Sequence, residues 1–403
     1  MVKRRKIAVL IEWSRAYGRG ALRGIARYVN AHCTWKVYQT ERGLCDEAPG
    51  WLRGWDGDGI IARIESDQLL RQIRRMKIPV VDMFEHSHAR NISGVITNNR
   101  TIARMAADHL IERGLKHFAY CGLPGVYSSD ARSDYFAEYV RSRGYDVSIY
   151  ENLRQPGKKF ISTAEDHELR CEEAVATWVD SLPKPVGLMA CNDLRAHQVL
   201  MVCSDRGIVV PDDVAVIGVD NDELICELCH PPLSSIEQNP ERAGYEAAVL
   251  LDRLLDGETP SVEPIVVEPL GVVHRQSTDV VAVGDEDVAA AVQFIRAHAC
   301  DGIHVGDILE HVHTSRSTLE RRFNKLLGRS PKAEILRTQL GHVKQLLLMT
   351  DYPLEKIAQL TGFRYTESMC YSFKRTLGQT PGHYRSKSRS EAGSTSSNAT
   401  TTQ

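Results

Sequence analysis

The sequence predicts a two-lobed α/β body followed by an all-α domain that carries two helix-turn-helix units. Three observations lead there. At 403 residues the chain exceeds a single core of about 250–300 residues, so more than one domain is expected. Residues 4–276 alternate short β-branched runs with helical stretches, whereas 286–386 hold no strand signal. Finally, Leu319, Phe323, Leu327, Gly328 and Pro331 recur fifty positions later as Met369, Phe373, Leu377, Gly378 and Pro381. Each copy has helix-face spacing closed by Gly and Pro.

In chain order, strands are expected at Ile7–Ile11, Lys36–Gln39, Gly59–Ala62, Val80–Met83 and Gly94–Thr97. More follow at His117–Cys121, Asp146–Ile149, Val186–Ala190 and Val214–Val219. Helices fall between them at Gly20–Asn30, Arg100–Glu112, Leu169–Ser181 and Asp193–Asp205. Continuous apolar strands separated by helices imply parallel sheets covered on both faces, and nine strands imply two sheets in succession. The helix Arg242–Leu255 and the strand Ile265–Pro269 suit a chain that crosses back to the first lobe.

The first domain is thus placed at 4–278, with 279–285 as linker and 286–386 as the helical domain. Residues 387–403 lack large apolar side chains and are expected to be a disordered tail. Residues 285–387 carry fifteen Lys/Arg against eleven Asp/Glu, so an acidic body bears a basic C-terminal module. A basic N-terminus precedes the apolar run Ile7–Ile11, but Glu12 and Trp13 close it too early for a secretory segment. No run reaches the ~18 apolar residues of a membrane span. A cytoplasmic protein without membrane contact is expected, and its ten dispersed cysteines then read as thiols. Cys226-x-x-Cys229-His230 matches a haem-attachment pattern, a chemistry that follows export, so no cofactor is expected.

In the helical domain Leu319, Phe323 and Leu326/Leu327 form one stripe, leaving Arg316, Ser317, Glu320 and Arg321 on the other face. Ser315 is suited to cap that helix. Arg can bond guanine O6 and N7, and Glu can accept from cytosine N4. In the second copy Thr366, Glu367, Cys370, Tyr371 and Lys374 are expected to face outward over Met369, Phe373 and Leu377. Arg316, Glu320 and Arg321 make the first copy the reader of bases; the second serves mainly as an anchor. These residues carry a resemblance. Leu319…Phe323…Gly328-x-Ser330-Pro331, Ile357-Ala358…Gly362-Phe363 and Phe373-Lys374…Gly378-x-Thr380-Pro381 resemble the AraC-family DNA-binding domain. That domain joins two helix-turn-helix units by a long helix, here about Lys332–Met349. Gln339 and Val343 depart from its usual Arg and Ala, and Tyr371 from a frequent Arg.

Residues 4–276 resemble the periplasmic-binding-protein-like sugar-sensing core of LacI-type repressors, on Gly218-Val219-Asp220-Asn221. Such a fold holds its ligand between two lobes, outside the carboxyl ends of the strands. Trp13, Tyr17, Phe84, Arg132, Asp193, Asp220 and Asn221 lie at those ends and are the ligand-binding candidates. Arg132 is read as opening a helix after the loop Gly122–Asp130. Carboxylates and amides bond vicinal hydroxyls and aromatic rings lie on a sugar's apolar face, whereas a nucleotide would ask for basic residues. On Tyr120-Cys121-Gly122-Leu123-Pro124, Asp220-Asn221-Asp222-Glu223-Leu224, Ile295-Arg296-Ala297-His298-Ala299-Cys300 and Ser315-Arg316-Ser317-Thr318-Leu319-Glu320, the chain up to its tail resembles xylose-operon regulators. That resemblance implies an activator with D-xylose as inducer; the duplicated helix-turn-helix itself points to double-stranded DNA, and a homodimer with RNA polymerase as a partner is expected. Another pentose, or a repressing role, stays open. An enzyme would need a nucleophile such as Cys121 with an oriented His, and the nearest, His117, lies in the same strand. His311-x-His313 lacks further ligands at metal spacing, so neither metal nor catalytic residues are expected.

Overall fold

The computed structural model describes residues 4–32, 35–43, 46–84, 92–151, 171–259, 263–280, 285–350 and 352–386. The chain divides into two compact units, Met1–Val280 and Val281–Gln403. Residues 281–284 of the expected linker and the expected tail 387–403 lie outside the described residues.

The first unit holds two six-stranded sheets. In the first lobe lie β1 (Arg5–Leu10), β2 (Trp35–Tyr38), β3 (Gly59–Ala62), β4 (Val80–Asp82) and β5 (Ser93–Thr97). The second has β6 (His117–Cys121), β7 (Val147–Ile149), β8 (Val186–Ala190), β9 (Val214–Val219) and β10 (Ser234–Glu237). Strand β11 (Ile265–Val267) completes the first sheet parallel to β5, and β12 (Gly271–Val273) closes the second antiparallel to β10. Every residue of β3, β8 and β9 is buried, as strands covered on both faces must be.

Helices α1 (Ala16–His32), α2 (Asp67–Met76), α3 (Asn99–Ile111), α4 (Tyr127–Ser142), α5 (Glu172–Ser181), α6 (Asp193–Asp205), α7 (Glu223–Leu228) and α8 (Pro240–Leu255) supply the cover. Ala21 and Ile25 of α1 and Ala247 and Leu251 of α8 pack on one face of the first sheet. Leu69, Leu70 and Ile73 of α2 take the other. Helices α1 and α8 approach at backbone distance: a methyl on Gly24 would stand 1.9 Å from the Glu241 carbonyl oxygen.

The chain passes between the lobes three times. It leaves after β5 at Asn98, whose side chain caps α3 by accepting from Thr101 N at 3.1 Å. After β10 it returns at Asn239, the cap of α8, and after β11 it leaves again through Glu268–Leu270. The crossings are tied together: Asn98 N donates to Val267 O at 2.9 Å and Leu270 N to Glu237 O at 2.9 Å.

Two strands escape the sequence pattern. Ser234-Ser235-Ile236-Glu237 is too polar to read as buried, yet its first three residues are. The serines are buried because their hydroxyls bond inward, Ser235 Oγ to Asp193 Oδ1 at 2.6 Å and Ser234 Oγ to Arg275 O at 3.0 Å. The three-residue edge strand β12 is too short for periodicity to show. Arg132 also needs correction: α4 begins at Tyr127, so Arg132 sits in its second turn and does not open it.

The second unit contains α9 (Glu286–His298), α10 (Val305–Val312), α11 (Arg316–Leu327), α12 (Pro331–Met349), α13 (Leu354–Leu360) and α14 (Thr366–Leu377), with no strand among the described residues. The repeat holds in three dimensions. Helices α11 and α14 start and stop fifty positions apart, and each ends on a glycine in the left-handed region, Gly328 at φ +65° and Gly378 at φ +73°. Two small cores result. Leu319 and Phe323 pack with Val288, Val292 and Ile308, while Met369 and Phe373 pack with Leu340, Val343 and Ile357. Helix α12 serves both, placing Ile335 in the first and Leu347 in the second.

Candidate functional site

Between the lobes of the first unit lies a cavity of about 100 Å³, at the carboxyl ends of β1, β3, β4, β6, β8 and β9. An ordered water needs roughly 10–15 Å³ of such space, so the cavity suits one small polar molecule. Of the ligand candidates, Tyr17, Phe84, Arg132, Asp193 and Asp220 line it.

Two do not. Trp13 is 37% exposed outside the cavity, and its backbone N–H donates to Arg42 O at 2.8 Å, which turns the segment after β1 toward the loop after β2. Asn221 faces away: its side-chain oxygen accepts from Arg275 Nη2 at 2.9 Å and its N–H donates to Ser235 Oγ at 3.0 Å.

The first lobe contributes a guanidinium that the sequence reading passed over. Arg63 follows β3, is 9% exposed, and lines the cavity with Nη1 bonded to the fully buried Glu12. Its guanidinium lies 5.0 Å from the Tyr17 ring centroid and 5.2 Å from that of Phe84. A cation clamped between two rings and a carboxylate has lost its rotamer freedom before any ligand arrives. Burial lowers the pKa of Arg63, but Glu12 and Glu65 outweigh it and the guanidinium is held more firmly charged than usual. Behind it, burial pushes Glu65 up to about 8 and Asp82 up to about 7. Asp82 accepts from Ile64 N at 3.1 Å and Phe84 N at 3.0 Å, which fixes the turn presenting Phe84.

The second lobe supplies Arg132, whose Nε donates to Asn99 Oδ1 at 2.9 Å and Nη1 to Cys191 O at 2.5 Å. Asp220 follows β9 at φ +113°, a conformation costing a non-glycine residue about 1–3 kcal/mol. The strain is held by Asp220 N donating to Ile236 O at 3.0 Å and by Gln238 Nε2 donating to the Asp220 carboxylate. Burial raises the Asp220 pKa, opposed by Arg132, Gln238, Arg63 and Arg15.

Asp193 lines the cavity, but its oxygens are engaged by Ser235 Oγ at 2.6 Å and Asp222 N at 2.8 Å. It caps no helix; Asn192 caps α6, accepting from Arg195 N at 2.9 Å. Asp193 therefore shapes the loop that presents Asp220. Burial, then Asp220, raise its pKa well above the usual carboxylate range. Asp222 ties the lobes, accepting from Ala16 N at 3.0 Å.

Asn99, Ser129 and Gln238 were missed with Arg63. Gln238 follows β10, a strand the pattern hid. Arg63 was within reach, since the strand-end rule that selects Phe84 selects it too. The opposed donors, acceptors and rings suit a neutral polyhydroxylated ring.

In the second unit α11 exposes Arg316, Ser317, Arg321 and Asn324, with Glu320 half-buried. Arg316 Nε and Glu320 Oε1 pair at 3.0 Å, so two of the base-reading candidates are engaged with each other. Ser315 caps α11, accepting from Thr318 N at 3.3 Å. On α14 Glu367, Tyr371 and Lys374 are exposed and Thr366 is half-buried at the first turn. Cys370 is not outward. It is half-buried against the Met369–Phe373 core, and burial raises its thiol pKa. Exposed Arg364, just before α14, and exposed Arg375, in its last turn, were omitted by the sequence reading; they lie 5.4 Å and 5.7 Å from the Tyr365 and Tyr371 ring centroids.

Elsewhere, Cys226 and Cys229 are buried, and Cys226 Sγ donates to Asp193 Oδ2 at 3.5 Å. Cys121 is fully buried, and His117 lies at the exposed start of the same strand. Among the described residues no three His, Cys, Asp or Glu side chains group as metal ligands, and no helix is long and apolar enough to cross a membrane.

Comparison with known proteins covers both units. A model of the XylR N-terminal domain matches residues 6–99, a periplasmic binding protein-like domain matches 107–278, and a helix-turn-helix domain matches 308–387. The chain is 33% identical over 393 residues to the xylose operon regulatory protein of Escherichia coli (strain K12), spanning 95% of this chain and 97% of that protein. Its counterpart in Haemophilus influenzae (strain ATCC 51907 / DSM 11121 / KW20 / Rd) is 30% identical over 393 residues, with 94% and 98% covered. The solved structure of the xylose-binding transcription activator xylR superposes with a TM-score of 0.76 at 31% identity, covering 96% of this chain and 99% of that one.

Proposed function

The chain belongs to the family of xylose operon regulatory proteins, and from that premise we propose that it activates pentose-catabolic genes when D-xylose fills its interlobe cavity. It is a sugar-sensing transcription regulator. What carries the choice of ligand is one arrangement: Arg63, Tyr17 and Phe84 face Arg132, Asp220 and Gln238 across about 100 Å³. Cations donate to hydroxyls, Asp220 accepts from them, and the rings cover the apolar face of the sugar. A phosphorylated ligand would meet Asp220 and Asp193 as well as the cations, which disfavours it.

Sugar binding in this reading draws the lobes together about the three crossings, and closure alters how two protomers present their heads to DNA. A homodimer links the heads, which can raise avidity roughly 10²–10⁴-fold without new base contacts. The first helix-turn-helix supplies base reading through Arg321 and the Arg316–Glu320 pair. The second, which carries Arg364, Lys374 and Arg375, anchors on phosphates. RNA polymerase is the partner of the bound activator, and the setting is cytoplasmic.

Calorimetric titration of the intact protein with D-xylose, L-arabinose, D-ribose and D-glucose tests the reading. D-Xylose is expected to bind most tightly, and Asp220→Ala to abolish that binding while DNA binding without sugar persists. Preference for a hexose, or unchanged affinity in Asp220→Ala, would overturn it.

A further inference from the structure

A buried amide spans the two halves of the second unit. Gln339 lies midway along α12, the helix shared by both cores, and is only 7% exposed. Its Nε2 donates to Ala299 O at 3.0 Å, in the short turn that ends α9, and to Gly362 O at 3.4 Å, in the tight turn between α13 and α14. One side chain thus holds a carbonyl from each half.

The backbones are pressed together at the same place. Gly362 stands at φ +74°, and a methyl there would lie 2.8 Å from both the Ala299 and Cys300 carbonyl oxygens. Gly302, at φ +80°, faces Gly362 O in turn, 3.6 Å from where its own methyl would be. Beside them Thr361 is fully buried, its hydroxyl donating to Ile357 O at 2.7 Å. The two turns approach backbone to backbone, so a small rotation of one half against the other would disturb the Gln339 bonds.

We propose that Gln339, with Gly362, is a positioning latch that fixes the separation and twist of the two recognition helices, so that the head accepts one spacing of its two DNA subsites. Without the latch the halves would be joined only along α12, whose two ends sit in different cores. Helix α12 would then act as a hinge. One inserted base pair moves the second subsite about 3.4 Å along the duplex and turns it about 35°. A rigid head cannot follow both changes, whereas a hinged one can follow them in part.

The test uses the intact protein and duplexes selected for binding from a random-sequence pool. The two protected segments are located and the duplex is remade with one and two base pairs inserted between them. The wild-type chain should lose about a hundredfold in affinity for each inserted duplex. Gln339→Leu, which leaves both carbonyls unpaired, should bind the parent duplex about tenfold more weakly and lose less than about fivefold on insertion. Gly362→Ala should do the same by a different route. Gln339→His, which keeps a donor, should restore part of the discrimination. A variant that is merely less stable would weaken parent and inserted duplexes equally, and that result would overturn the proposal. So would a wild-type chain indifferent to the insertion.

Discussion

Gly218 shows how closely the cavity-lining loop is fitted. A methyl there would stand 2.2 Å from Asp193 Oδ1 and 3.1 Å from Leu233 Cδ2. Asp193 cannot retreat, because Ser235 and Asp222 hold its oxygens. Gly218→Ala should therefore cost roughly 1–3 kcal/mol of stability and displace Asp220 from the cavity. Chemical denaturation with sugar titration checks both; unchanged sugar affinity would contradict the role given to Asp193. Glu334 is the corresponding buried acid of the DNA-binding unit, 0% exposed between Arg329 and Arg337, with Arg337 Nη2 at 2.7 Å from its Oε1. Burial alone would raise its pKa, but the two guanidiniums outweigh burial and hold it below the ordinary carboxylate value. A depressed folded pKa gives stability that is present above the unfolded value of about 4.3 and lost as pH falls through the folded one. Both arginines are about a third exposed or more, so Glu334→Gln should cost only about 1–2 kcal/mol at pH 7. That deficit should shrink below pH 4, as denaturation at both pH values would show.

At the scale of elements, the recognition helices were legible because Leu319, Phe323, Met369 and Phe373 are large, apolar and evenly spaced, and all four are buried. Parallel strands such as β8 and β9 were legible for the same reason. What failed to show was polar burial. Ser234 and Ser235 look like a loop until their partners 42 residues away at Asp193 and 41 away at Arg275 are in place. Arg63 was within reach by its place at the end of β3, but the Glu12 carboxylate and the two rings that hold it leave no mark in the sequence around it. Cys370 was misread because helical spacing alone cannot separate the flank of a stripe from its outer face. On the outer face of α11, Arg321 is exposed, whereas Arg316 is paired with Glu320. Arg321→Ala should thus weaken binding to a selected duplex by roughly 1–3 kcal/mol and relax preference at one base pair. Tyr371→Ala should weaken binding with little change in preference. Selection of bound sequences by each variant would distinguish the two, and a narrowed site in Arg321→Ala would contradict this assignment.

At the scale of the molecule, a sensing unit of two lobes and a reading unit of two motifs share one chain. The fifty-residue repeat marks the DNA-binding unit, and the input proposed above is the cavity with its strained Asp220 turn and opposed arginines. Linkage requires that the effect of sugar on DNA affinity equal the effect of DNA on sugar affinity, whatever path connects them. Coupling energies of this kind are commonly about 1–3 kcal/mol, or roughly 5- to 150-fold. The most direct test is to titrate D-xylose into the intact protein, first alone and then saturated with its selected duplex. The two sugar affinities should differ by at least about fivefold, matched by an equal shift in DNA affinity when the order is reversed. Identical sugar affinity with and without DNA would contradict that coupling.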